Sequence, residues 1–192
     1  PAAFLRSNGF TVTELAPGDP TALNGTTLTC YPIGHEDSAL MIDSAGFTIL
    51  ELNDCKPTKG ELRRMLGNHN RVDVLLDQFS GAGWNGNPGD ADRKRQQADR
   101  VRSSLTFHLD TIDPVWFVPF ASFVRFEHEE NQHLHEHRIT VSDTVKHHQK
   151  RQIAVLAPGD CWQIDQPWAG TEQALAQYAT AEAEPFTPVR SE

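Results

Sequence analysis

The chain has 192 residues, 38% of them hydrophobic and 22% charged, which is enough for one globular domain with a real core. Its formal net charge of −9 argues against nonspecific binding to nucleic acid or to an anionic membrane. No apolar run approaches the roughly 18 residues of a membrane span and no signal-peptide pattern opens the chain, so a cytoplasmic protein is expected.

Cys30, Cys55 and Cys161 are odd in number, far apart and form no CxxC pair, which reads as reduced thiols and not a disulfide framework. The first residue is Pro1 and not methionine. The chain is therefore expected to be processed, truncated or the later part of something longer.

In chain order, residues 1–8 read as the end of a helix stopped by Gly9. "FTVTEL" (10–15) reads as a short strand and "APGDP" as a turn. "TTLTCYPI" (26–33) alternates as a half-buried strand does. "DSALMID" and "GFTILEL" then form a hairpin around Ser44–Ala45–Gly46. Thr58 is placed to cap a helix reaching about Asn68, with Glu61 completing a capping box. "VDVLLDQF" (72–79) is apolar nearly throughout, as befits a strand covered on both faces.

A glycine-rich loop, "SGAGWNGNPGD", leads to a long helix from about Asp90 to Leu109. Ala98, Val101, Leu105, Leu109 and Ile112 keep helical spacing along it. "VWFVPF" (115–120) is another buried strand. Beyond it lie a polar stretch, "EHEENQHLHEH", a short helix in "TVSDTVKHHQKRQ", a small hairpin in "IAVLAPGDCWQID" and a surface helix in "TEQALAQYATAEAE". Strands and helices alternate with hairpins among them, which makes the class α/β with a mixed sheet.

The stretch "GHEDSALMIDSAGFTILELNDC" (34–55) carries the main functional question. With the turn centred between Ser44 and Ala45, His35 and Asp54 are equally far from it, so an antiparallel pairing sets them opposite each other at the open end of the hairpin. An imidazole and a carboxylate at one sheet edge suit a zinc or iron site. On spacing alone the plainer reading, a surface pair closing a hairpin, is favoured.

The same stretch resembles the later metal-ligand segment of the metallo-β-lactamase superfamily, in which a His precedes one strand and an Asp ends the next. "LLDQFSGAGW", the long basic helix, "VWFVPFASF" and "FEHEEN" then resemble, in order, segments of CMP-N-acetylneuraminate hydroxylase-like proteins. The similarity covers roughly residues 1–165, with 166–192 a C-terminal helix and tail. It implies His35 and Asp54 as metal ligands, Asp54 being the bridge.

The superfamily's HxHxDH motif is absent, and "HLHEH" (133–137) has neither its spacing nor its position. The resemblance therefore implies an αββα sandwich of which this chain is the second half, a mixed sheet with helices outside. No histidine follows the strand ending Phe120–Ala121–Ser122, and His128 is the nearest candidate for the last ligand. Of His128, His133, His135 and His137, a hydrated loop is otherwise the favoured account.

Asp77 ends a buried strand and enters the glycine-rich loop, where α/β proteins keep functional groups, and is the candidate catalytic residue. Gly81 and Gly83 would let backbone approach a ligand closely, or simply let the loop turn. No GxxxxGK[ST] motif is present, which excludes a P-loop on pattern. The basic run "DRKRQQADRVR" reads as a solvated helix face, Cys55 as a packed thiol, and Trp116, Phe117 and Phe120 as core.

The resemblance implies a metal-dependent enzyme, with iron or zinc as one or two ions activating water or dioxygen. The leading expectation is a hydroxylase-like oxygenase. A hydrolase of esters, lactones or phosphodiesters is the alternative. No Rieske CxH…CxxH pattern occurs, so any such cluster would lie outside this chain. A different class of answer is a non-catalytic half-domain. Either way the expected partners are the N-terminal half of the fold, in the same or a separate chain, and a small-molecule substrate.

Overall fold

A computed structural model describes residues 2–35, 37–67 and 69–183. Six strands form one mixed sheet in the order of the chain: β1 (Thr21–Leu23), β2 (Thr26–Ile33), β3 (Asp37–Ser44), β4 (Phe47–Asn53), β5 (Val74–Gln78) and β6 (Trp116–Phe120). The first four pair antiparallel, and β4, β5 and β6 are parallel. The helices are α1 (Ala2–Ser7), α2 (Lys59–Leu66), α3 (Ala91–Ile112), α4 (Val141–His147) and α5 (Thr171–Ala183), with a 3₁₀ helix over Glu129–His135. Among the described residues no helix is long and apolar enough to cross a membrane.

The capping residues fall where the sequence places them. Thr58 accepts from the Glu61 backbone N–H at 3.3 Å, and its own N–H donates to Glu61 Oε2 at 2.7 Å. Both exchanges satisfy donors that the first turn of α2 leaves open. Thr140 and Asp143 build the same box at the start of α4. In α3 the stripe Ala98, Val101, Leu105, Leu109 and Ile112 is buried along its length. Asp113 stops the helix in the left-handed region at φ 48°.

Among the described residues, helices cover one face of the sheet. Met41, Leu50, Leu52, Leu75 and Phe117 share a core cluster with Leu62 and Met65 of α2, Leu105 and Leu109 of α3, Val141 of α4 and Ala174 of α5. Alternation along each strand sends the intervening side chains to the other face. There, Leu28, Ile42, Ile49, Val74 and Trp116 form one row across β2–β6, and Cys30, Leu40, Glu51, Leu76 and Val118 form the next. Leu28, Leu40, Ile42, Ile49, Leu76 and Val118 are half-exposed. At the β6 end of this face Trp162 meets Trp116 edge-on, with ring centroids 5.3 Å apart.

Four expectations are corrected. Residues 10–15 form no strand; β1 lies later, at Thr21–Leu23. The expected hairpin in 153–165 is absent, and Ile153 makes an isolated parallel bridge to Phe117. Of the three aromatic residues expected in the core, Phe117 is fully buried, whereas Trp116 is half-buried on the second face and Phe120 is 39% exposed.

The fourth correction concerns the hairpin turn. Ser44 pairs with Phe47, so the loop is Ala45–Gly46, with φ of 50° and 84°. Two successive positive φ values are the requirement of a type I′ turn, which Gly46 meets without strain. The hairpin centre therefore lies one residue later than expected, between Ala45 and Gly46.

Candidate functional site

That shift decides which residue faces Asp54. The observed register, Leu40 with Glu51 and Ile42 with Ile49, brings Asp37 and not His35 level with Asp54 when extended toward the open end. His35 sits in the β2–β3 turn, exposed, at the same edge of the sheet. This edge also carries the C-terminal ends of β4, β5 and β6, where open α/β sheets place their ligands.

A bulge between Glu51 and Asn53 interrupts the β4–β5 ladder, and Asn53 has φ of 52°. Such a bulge re-aims the chain at a strand end. Asp54 leaves the sheet there and is exposed, while Cys55 turns back inward and is 2% exposed. Burial, followed by the charges of Asp37, Asp54, Glu51 and Asp77, pushes the Cys55 thiol up to about 12. The thiol is thus held protonated, which suits the packed role expected of it. Glu51 is raised as well, by burial first and by Asp54 and Asp77 after it, against a hydrogen bond from the Asn53 backbone. The rim is strongly acidic.

Asp77 shares the helix-covered face with Leu75 and is 1% exposed. His108 of α3 donates from Nδ1 to Asp77 Oδ2 at 2.7 Å, and the Gln78 N–H donates to Oδ1 at 2.8 Å. Burial raises the Asp77 carboxyl above its ordinary range, and the hydrogen bond and charge of His108 oppose that. The carboxylate is held against α3, and Asp77 does not line the cavity described next.

The loop after β5 and the start of α3 wall a cavity of about 350 Å³, with Asp54 at its lining. Ser80, Gly81, Gly83, Asn85, Lys94 and Arg138 also line it. A Cβ added at Gly81 or Gly83 would meet nothing within 4 Å, so packing does not require glycine at either position. The Ser122 hydroxyl donates to the Ser80 carbonyl at 2.6 Å and ties the β6 loop to the β5 loop.

Lys94 corrects the reading of the basic run as a solvated face. Its side chain is fully buried, donating from Nζ to the His133 carbonyl at 2.9 Å and to Glu136 Oε2 at 2.6 Å. Its neighbours Arg95 and Arg102 make the expected exposed pairs, with Asp92 and Asp99. Arg93 lies over Trp84, 4.4 Å from the ring centre.

The histidine cluster disperses into loop contacts. His128 is exposed and precedes the 3₁₀ helix, His133 contacts the Glu130 and Gly86 carbonyls, and His135 Nε2 accepts from the Phe126 N–H at 2.9 Å. His137 lines the cavity. Among the described residues no group of three or more His, Cys, Asp or Glu side chains could hold a metal ion. His35 and Asp54 are two donors at one edge, and the described chain does not complete a coordination set around them. Glu36 falls outside the described residues.

No family model matches the sequence, and no curated protein matches it. Solved structures do match. CmlA, a diiron β-hydroxylase from Streptomyces venezuelae, aligns at 15% identity with a TM-score of 0.51 over 80% of this chain and 35% of its own. Igni18, a metallo hydrolase from Ignicoccus hospitalis, aligns at 14% identity with a TM-score of 0.51 over 83% of this chain and 63% of its own. Both are metallo-β-lactamase-fold proteins. This chain has the metallo-β-lactamase-like fold.

The chain spans about a third of the hydroxylase and under two thirds of the hydrolase. One mixed sheet with helices on a single side is the part of the metallo-β-lactamase-like fold that it supplies. Sequence reasoning reached Asp54 and the glycine-rich loop. It passed over Asp37, His108, Ser80, Asn85 and Lys94. A lysine on the apolar side of α3, four residues before Ala98, was the available signal for Lys94.

Proposed function

We propose that the chain is the C-terminal half of a metal-dependent enzyme of this fold, most closely an oxygenase of the hydroxylase type, in which Asp54 and His35 serve a metal centre. The observation that carries the reading is Asp54 itself. A bulged strand end presents its exposed carboxylate at the parallel edge, on the lining of the adjoining cavity. The described donors do not fit a complete site for iron or zinc, so the remaining ligands belong to the other half of the fold. His128 is a ligand only if its loop turns toward the rim when that half is in place. Asp77, buried on His108, acts by holding the β5 end and not by touching substrate.

The test is metal analysis of the chain combined with the complementary half. Stoichiometric iron that is lost in both Asp54→Ala and His35→Ala supports the oxygenase. Stoichiometric zinc lost in the same variants transfers the reading to a hydrolase of esters, lactones or phosphodiesters. Metal content unchanged in both variants overturns it.

The uncovered sheet face favours a second reading, a non-catalytic half-domain that pairs with a chain carrying the missing sheet. Leu28, Leu40, Ile42, Ile49, Leu76 and Val118 leave part of their apolar surface open on that face. A metal-free complex with the complementary half supports this version.

A further inference from the structure

We propose that residues 126–138 form a strap that opens as a unit beside the cavity at Asp54, and that Lys94 is the latch that holds it shut. Within this segment Leu134 alone is buried, and no residue of it belongs to the apolar core clusters of the described chain. Its two flanks are fixed. The Ser122 hydroxyl donates to the Ser80 carbonyl, and Ile139 packs with Ala98 and Val101 of α3. Between them the segment braces itself: Gln132 Nε2 donates to the Phe126 carbonyl at 2.6 Å, and the Phe126 N–H donates to His135 Nε2 at 2.9 Å. A segment with few buried apolar contacts, anchored mainly by hydrogen bonds, is the kind that opens locally, below the free energy of global unfolding.

The anchors to the body of the domain are polar. Asn85 Nδ2 donates to the Leu134 carbonyl at 3.3 Å, His133 Nε2 lies 3.1 Å from the Gly86 carbonyl, and Arg138 pairs with Glu182 of α5. Lys94 differs from these in being fully buried. Its ammonium donates to the His133 carbonyl at 2.9 Å and to Glu136 Oε2 at 2.6 Å, and both acceptors belong to the strap. An ammonium out of water is tolerated only while such partners stay on it. Closure therefore depends on the bond to Glu136, and opening returns Lys94 to solvent. That hydrogen bond, and the charge of Lys94 after it, hold the Glu136 carboxyl below its ordinary range and keep it ionised.

The strap stands between two cavities. Leu134, His137, Arg138 and Ile139 line the one beside Asp54, and Gln132, His135, Arg138 and Ile139 line a second of about 480 Å³. Arg138 and Ile139 belong to both linings, so release of the strap joins the two spaces. It also widens the approach to Ala98 on α3, which lines the first cavity and is 8% exposed. The inference goes beyond the metal reading of Asp54 and does not require it.

The experiment is hydrogen–deuterium exchange with mass spectrometry on this chain in native buffer, read for peptides of the strap and of β5. In the wild type the strap should exchange faster than β5. Glu136→Ala should speed the strap about 10-fold further and leave β5 unchanged, with a smaller acceleration in Glu136→Gln, which keeps the shape. Asp99→Ala, which breaks the exposed pair with Arg102, should alter neither region. A thiol introduced by Ala98→Cys reports access to the cavity, and Glu136→Ala should raise its rate of alkylation by a similar factor. Peptide mapping separates that thiol from Cys30, Cys55 and Cys161. Strap and β5 exchanging at one rate, Glu136→Ala accelerating both alike or neither, or alkylation indifferent to Glu136→Ala overturns the proposal. Neither readout involves a metal, so the result stands whichever way the test of Asp54 and His35 falls.

Discussion

Removal of His108 tests the electrostatics beneath the edge. Its side chain and that of Asp77 are 3% and 2% exposed, and they share a 2.7 Å hydrogen bond. Taking one partner from a buried pair costs about 3–5 kcal/mol when the other is left charged. For a chain of this size that is a fall in Tm of roughly 6–20 °C. Part of the loss is the cavity left by the ring, which does not depend on pH. The rest belongs to the Asp77 carboxylate and does.

Burial already holds the Asp77 pKa above its ordinary value, while the His108 hydrogen bond and charge pull it down. His108→Ala removes the lowering influences and raises the folded-state value further. A carboxyl raised on folding binds its proton more tightly in the native state. Its contribution is complete below the unfolded value of about 3.9 and is lost as pH rises through the folded value. The deficit of His108→Ala relative to wild type should therefore grow from pH 4 toward pH 8 in urea titrations. Measured against the Asp77→Asn single variant, the Asp77→Asn/His108→Ala double variant should show no such pH dependence. A deficit flat with pH, or one that keeps its slope in the double variant, refutes the assignment.

Other outcomes follow from the same structure. Cys161 is exposed and Cys55 is buried with its thiol pushed up to about 12, so iodoacetamide at pH 8 should alkylate Cys161 first and reach Cys55 only on unfolding; mass spectrometry of the labelled peptides decides it. Thr58→Ala removes the cap of α2 and should cost about 1 kcal/mol in denaturant titration, whereas Thr58→Ser should cost little. Ile49→Lys places a charge in the centre of the uncovered face and should change stability by less than about 1 kcal/mol while abolishing association with the complementary half; a loss of several kcal/mol would mean that the face is packed.

Local rules made much of this fold legible. The capping box at Thr58, the α3 stripe and the apolar runs of β5 and β6 depend on short-range spacing, and each was found where the spacing put it. The misread elements depend on partners. Residues 10–15 have strand-like composition and form no ladder, while three-residue β1 is too short to announce itself except by pairing with β2. The stretch after Ile153 spends its extended backbone on one bridge to β6.

The site shows the same division. The place of Asp54, directly after the end of β4, was legible from the apolar run that precedes it. His35 was placed opposite it by assigning the turn one residue early, and a hairpin doubles such an error, so that Asp37 takes that level. Lys94 and His108 lie in a polar helix sequence; the spacing to Ala98 hinted at Lys94 alone, and the fold turns one against the 3₁₀ helix and the other against β5.

On the proposed half-domain reading, folding and association draw on different faces of one sheet. Met41, Leu50, Leu52, Leu75 and Phe117 are fully buried against helices of the same chain, so their loss unfolds the domain. Leu28, Leu40, Ile42, Ile49 and Leu76 are half-exposed on the opposite side. Their apolar surface is released from water only when a second layer covers it. Glu51 lies on that face close to the exposed Asp54, so a second sheet docked there would also dry the acidic edge. Drying raises the cost of every carboxylate left unpaired there. If the proposed second layer docks on this face, it must bring compensating charge or donors to the rim, and assembly and completion of the proposed site would then be one event.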